Sequence, residues 1–187
     1  MAPSLASVRI FVVPTPHGQT QYQVRFDWGL EGAHAIGEGA DVIVWVDQLA
    51  FSEAALAEAV LPDAGVVLGD IQCRRELADW ALARQGDRGD RYTVAVVAAG
   101  EARADGSLRF AVEDLLAAGS IIDALADVGI DYCSPEAAAA AAAYTGLRNA
   151  TGHLISSSAS GQALGRPPVD LDPVARVVVL REFSLAR

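Results

Sequence analysis

Residues 94–119 read VAVVAAGEARADGSLRFAVEDLLAAG. Tyr92 to Ala98 is apolar and rich in β-branched residues, the composition of a strand buried on both faces. Gly100-Glu101 closes that strand, and a polar loop is expected from Glu101 to Arg109. From Val112 to Ala126 apolar residues recur at helical spacing. Glu113 and Asp114 stand in the first turn, where acids suit the helix dipole. Strand, loop and helix in this order are the repeating half of an α/β fold.

The pattern extends in both directions. Upstream, Val8–Val13 reads as a strand ended by Pro14 and Pro16, and Tyr22–Phe26 as a second. Asp27-Trp28-Gly29 then reads as a turn, and Glu31–Ile36 as a short helix stopped by Gly37 and Gly39. Val42–Val46 is an unbroken apolar strand. Ser52 can cap a helix from Glu53 to Val60, closed by Pro62. Val66–Leu68 is a short strand, followed by a helix from about Arg74 to Arg84 and a charged loop from Gln85 to Arg91. Downstream, Ser134-Pro135-Glu136 supplies an N-cap, a proline at N1 and a first-turn acid, so the run Ala137–Ala143 is helix. Gly161, Gly165 and Pro167-Pro168 mark loop, and Arg176–Leu180 is a final strand. The reading is one α/β domain over residues 1–187, with a mainly parallel sheet and helices on both faces in α/β/α layers.

Composition narrows the function. Hydrophobic residues make up 52% and charged residues 20% of the 187, as in a globular chain. The net charge of −10 argues against nucleic acid and against an anionic membrane surface. All 14 basic residues are Arg, which excludes a lysine Schiff base and a P-loop. Cys73 and Cys133 are in no ligand-like spacing and read as reduced thiols. With no signal-peptide pattern and no membrane-length apolar run, a cytoplasmic location is expected.

Four apolar runs end in an acid: VRF at Asp27, VIVWV at Asp47, VVLG at Asp70 and VAVVAAG at Glu101. Parallel sheets place their ligand sites beyond the carboxyl ends of the strands. Acids collected there repel one another unless a cation or protons neutralise them. Mg²⁺ is the expected cofactor, since it takes oxygen ligands and bridges to phosphate; the alternative is that each acid caps the helix after it. Residues 94–119 concentrate the candidates. Asp47, Glu101, Glu113 and Asp114 are the candidate metal ligands. Arg103 and Arg109 could grip phosphate or sulfonate bidentately. The competing reading is a solvated loop before a helix with first-turn acids.

The same stretch resembles the 2-phosphosulfolactate phosphatase family, whose members hydrolyse a phosphate ester with Mg²⁺. Ala99-Gly100-Glu101, Glu113-Asp114 and Ala118-Gly119 match the family pattern of strand, loop and helix. Phe26-Asp27-Trp28-Gly29 with Gly32-Ala33 is similar to the opening of actinobacterial members. Val46-Asp47, Leu49 and Phe51-Ser52 are similar to a family strand end, and Ser134-Pro135-Glu136-Ala137 and Ser158-Ala159-Ser160-Gly161 match downstream. The chain is much shorter than the family's members. Between Glu58 and Val66 it lacks additional sheet and a Ser-Pro-Asn-Gly loop. Ser52-Glu53 stands for a Thr-rich segment, and Ile71-Gln72-Cys73-Arg74-Arg75 for an Arg-Asn-Ala segment.

The resemblance implies a Mg²⁺-dependent phosphatase acting on a small anionic phosphate ester. On chemical grounds Glu101, Glu113 and Asp114 would then be catalytic, with Arg103 and Arg109 neutralising transition-state charge. The alternative is a truncated, non-catalytic homologue that binds a small anion or a partner protein. An exposed sheet edge would favour a homodimer. His17, His34 and His153 have no mutual metal-ligand spacing. Trp28, Trp45 and Trp80 read as core or rim residues, and Ser156–Ser158 lack a nucleophile elbow.

Overall fold

The computed structural model describes residues 16–49 and 62–182. The strand expected at Val8–Val13 and the helix expected at Glu53–Val60, with its Ser52 cap, lie outside the described residues. The rest is a three-layer α/β structure. In chain order it contains β1 (Val24–Trp28), α1 (Gly29–Gly37), β2 (Val42–Val46), β3 (Gly65–Gly69), α2 (Arg74–Arg88) and β4 (Val94–Ala98). A small hairpin, β5 (Glu101–Ala102) and β6 (Leu108–Arg109), precedes α3 (Val112–Asp127) and α4 (Pro135–Leu147). Two short helices, α5 (Thr151–Ser157) and α6 (Ala159–Ala163), lead to the last strand, β7 (Val178–Arg181).

The main sheet has the order β1-β4-β2-β3-β7. The first four strands are parallel, and β7 runs antiparallel at the edge beside β3. The β1-to-β2 connection through α1 crosses the sheet in one direction, and the β3-to-β4 connection through α2 crosses it in the other. Right-handed crossovers therefore put α1 and α2 on opposite faces. Val42–Val46 and Val94–Ala98 are buried at every position, as strands covered on both faces must be. Their alternate side chains feed two cores: Val44 and Val96 meet Leu77, Leu116 and Ile121 on one face, while Ile43 and Val97 meet Ala33 and Ile36 on the other. Each such fully buried Leu, Ile or Val contributes roughly 1.5–3 kcal/mol.

The alanine run of α4 is a packing surface. Ala137, Ala140 and Tyr144 are buried at helical spacing and face α3. Gly119 makes this approach possible, since a Cβ there would lie 2.2 Å from the Ala140 carbonyl oxygen. Ser134 Oγ caps α4 by accepting the Ala137 N–H at 3.1 Å, as its sequence promised.

Several boundaries differ from the sequence expectation. Asp27 and Trp28 belong to β1, not to a turn, because the parallel ladder with β4 continues to Trp28–Ala98. Gln85–Arg88 continues α2 instead of forming a loop, and the helix ends at Gly89 in a left-handed cap. The tertiary contacts of Gln85 and Arg88 outweigh the helix-weakening Gly86: Gln85 Oε1 accepts from Gln23 Nε2 at 2.6 Å, and Arg88 pairs with buried Asp41. Residues 101–109 form a hairpin, not an irregular loop. Helix α6 arises around Gly161, where loop is expected, with Ser158 Oγ capping it through the Gly161 N–H, and α5 precedes it over a stretch the sequence left unassigned. No described helix is long and apolar enough to cross a membrane.

Candidate functional site

The chain leaves β1 toward the α1 face and β4 toward the α3 face, and the two strands are neighbours. Such a switch opens a crevice at the carboxyl ends of the strands. The first turn of α3 stands over it and delivers Glu113 and Asp114. Both are buried, at 3% and 2% exposure.

Asp114 ties together the ends of β2 and β4. Its Oδ1 accepts the Gln48 N–H and its Oδ2 the Gly100 N–H, both at 2.9 Å. Gly100 reaches this position with φ of +66°, and a Cβ there would press on Leu108 and on the Arg109 carbonyl. Burial pushes the Asp114 carboxyl up to about 7. The Gln48 N–H opposes the rise, the Asp47 charge adds to it, the Gly100 N–H opposes it and the Glu113 charge adds to it. Asp47, Glu113 and Asp114 thus form one electrostatic cluster, in which Asp114 is held between burial and repulsion.

Glu113 is the anomaly. Its Oε2 is buried and has no hydrogen-bond partner among the described residues. An unsatisfied buried acceptor costs about 1–3 kcal/mol, more when charged. Native interiors rarely hold one without a reason.

Asp47 follows β2 directly and lines an open pocket of about 350 Å³ between the ends of β2 and β3. Asp70, Gln48, Cys73 and Arg176 line the same pocket. Asp70 Oδ1 accepts the Cys73 N–H at 2.7 Å, and its Oδ2 lies 3.4 Å from the Arg176 guanidinium. Burial pushes the Cys73 thiol up to about 12, which keeps it protonated and unreactive. Gln48 Oε1 accepts the Ile71 N–H at 2.9 Å, so one residue braces both Asp114 and the turn after β3.

Glu101 and Arg109 meet each other on the hairpin, outside the buried cluster. They are register partners in β5 and β6, and their side chains pair at 2.6 Å. Glu101 also lies 3.5 Å from Ser160 Oγ. Arg103 Nη1 donates to the Leu108 carbonyl at 2.8 Å, bracing the hairpin turn. Of the four candidate ligands, Asp47 and Glu113 act electrostatically on Asp114, and Glu101 lies apart on the hairpin. Beside the hairpin, the half-buried Trp28 stacks on Phe110 at 4.8 Å, leaving Phe110 67% exposed.

Among the described residues, no group of three or more His, Cys, Asp or Glu side chains is arranged to hold a metal ion. Mg²⁺ does not require such a cage, since it is commonly held by one or two carboxylates with water and substrate phosphate. The orphaned Glu113 Oε2 and the neighbouring acids are hard oxygen donors of the right kind.

Gln48 supports this site without a distinctive signal of its own in the sequence, whereas Asp70 stands at the end of an apolar run and Gly100 closes another. The Ala-Gly after the β4 run is the one local hint that backbone donors would be presented there. The sequence matches no protein-family model and no curated protein.

Proposed function

We propose that the crevice over β4 binds a divalent cation, Mg²⁺ above others, and hydrolyses a small phosphate monoester of the 2-phosphosulfolactate type. The observation that carries this reading is the buried Glu113 Oε2, which has no partner among the described residues. A positive ion facing that oxygen removes its desolvation penalty and quiets the repulsion among Asp47, Glu113 and Asp114. Asp47 and Glu113 are the proposed ligands, with Asp114 beside them and Glu101 on the flank. When bound, Mg²⁺ supplies polarisation of the phosphoryl oxygens and acidifies the attacking water.

The chain's own residues do the rest. Burial holds the Asp114 carboxyl at about 7, so it could keep a proton at neutral pH and would be ionised beside a bound cation. Its two backbone hydrogen bonds fix the distance between the ends of β2 and β4. Arg109 would have to exchange Glu101 for a phosphoryl oxygen in order to neutralise transition-state charge.

That exchange favours the second reading, a non-catalytic homologue that binds a small anion or a partner protein. Both Arg103 and Arg109 are already engaged within the hairpin. Phosphate release from a panel of phosphate esters, with and without Mg²⁺, separates the two. The proposed activity requires Mg²⁺-dependent turnover that falls at least about a hundredfold in Glu113→Gln. Cation binding by calorimetry without turnover on any ester supports the non-catalytic reading, and no cation binding at millimolar Mg²⁺ defeats the metal site.

A further inference from the structure

A second pocket, of about 240 Å³, lies on the other side of the turn after β3 and shares no lining residue with the pocket at Asp47. Its charged and hydroxyl-bearing walls include Arg74, Arg75, Asp123, Asp127, Tyr144 and Arg148. Three of the chain's 14 basic residues thus meet in one pocket of a protein with net charge −10.

The placement of these charges is poor for the helices that carry them. Arg74 and Arg75 open α2, where positive charge opposes the dipole. Asp127 is the last residue of α3, a helix with no basic residue in its last turn, where negative charge opposes the dipole again.

Some of the charge is spent internally. Arg74 Nη1 bonds to the carbonyls of Ile71 and Leu171, which fixes its guanidinium at the pocket wall. Arg148 pairs with Asp123 at 3.1 Å and lies over the Tyr144 ring at 5.6 Å. The remainder is uncommitted. Among the described residues Arg75 and Asp127 form no ion pair. Tyr144 is only 7% exposed, and its hydroxyl, which makes no hydrogen bond among the described residues, is the part of the side chain left open to the pocket.

We infer that this pocket binds a small organic anion, a phosphate or carboxylate, that also carries an amine or hydroxyl donor. The guanidinium groups of Arg74 and Arg75 offer planar donors to the anionic end. Tyr144 adds a hydroxyl, and Asp127 accepts from the donor end while repelling a second anionic group. The volume lies below the range of about 300–1,000 Å³ for drug-sized ligands, so the ligand is small.

The test uses the full chain freed of metal with chelator, titrated by calorimetry with inorganic phosphate and with O-phosphoethanolamine. Both bind saturably, and phosphoethanolamine binds more tightly. Arg75→Gln, at an exposed position that the fold does not need, weakens both by about tenfold. Asp127→Asn abolishes the preference for the amine-bearing probe. Glu113→Gln leaves both affinities unchanged, which separates this pocket from the crevice. Absence of saturable binding below about 10 mM, or wild-type affinity in Arg75→Gln, overturns the inference.

Discussion

Asp114, in the first turn of α3, accepts the backbone N–H of Gln48 at 2.9 Å from the end of β2. This bond, with its counterpart from Gly100, makes a buried carboxyl part of the scaffold. Its proton affinity then becomes a stability term. The folded value, about 7, lies above the ordinary carboxyl value of 3.8. Between these limits the folded protein keeps a proton that the unfolded chain has lost, so stability falls as pH rises from about 4 to 7. The full effect is on the order of 4 kcal/mol at most. Urea unfolding without metal should show lower stability at pH 8 than at pH 5, and Asp114→Asn should flatten that slope. At pH 5 the same substitution should cost about 1–3 kcal/mol, because an Asn amide cannot accept from both N–H groups. An unchanged slope in Asp114→Asn would remove Asp114 as its source.

Glu113 makes the opposite prediction about stability. Its buried Oε2 has no partner among the described residues, so an apolar side chain of similar length removes a penalty without losing a bond to them. Glu113→Met should raise the metal-free stability by about 1 kcal/mol. The same variant should lose any increase in Tm that Mg²⁺ gives the wild type. A site that is less stable than it could be is expected where stability has yielded to binding. A loss of more than about 2 kcal/mol in Glu113→Met would mean that the carboxylate holds the fold together instead.

The sequence disclosed the elements that periodicity controls. Val42–Val46, the α3 helix and the Ser134 cap are where their residues place them, because burial on two faces and local capping are both written in short spans. The sequence also placed Asp47 directly after its strand and Glu113-Asp114 in the first turn of α3, which is where the structure has them. What the sequence could not disclose depends on contacts across long separations. Glu101 and Arg109 look like independent site residues until the hairpin pairs them. Gln85–Arg88 looks like loop until Asp41, 47 residues away, accepts Arg88. No local pattern announces that Glu113 Oε2 lacks a partner among the described residues while adjacent Asp114 has two.

Gly119 sits where α3 crosses α4, and a Cβ there would stand 2.2 Å from the Ala140 carbonyl oxygen and 3.0 Å from the Tyr144 Cβ. Backbone cannot yield as a side-chain tip can. Ordinarily Gly→Ala in a helix gains roughly 0.5–1 kcal/mol from propensity. Here the helices must separate, and overpacking of this kind costs about 1–3 kcal/mol or more. Gly119→Ala should therefore destabilise, as read by thermal unfolding. A gain in stability would show that α3 and α4 can move apart freely.

Gly100 and Gly106 allow the backbone and steric parts of a substitution to be separated. Both have positive φ, +66° and +81°. At Gly106, in the hairpin turn, an added Cβ meets nothing within 4 Å, so Gly106→Ala carries only the conformational penalty of about 1 kcal/mol. At Gly100 the Cβ meets the Leu108 side chain at 2.7 Å and the Arg109 carbonyl oxygen at 2.8 Å. Relief of that contact must shift either the hairpin or the Gly100 N–H that Asp114 accepts. Gly100→Ala should accordingly cost at least about 1 kcal/mol more than Gly106→Ala. It should also weaken Mg²⁺ binding, whereas Gly106→Ala leaves it unchanged. Equal losses in the two variants, with metal affinity untouched in both, would show that the crevice does not depend on the geometry at the end of β4.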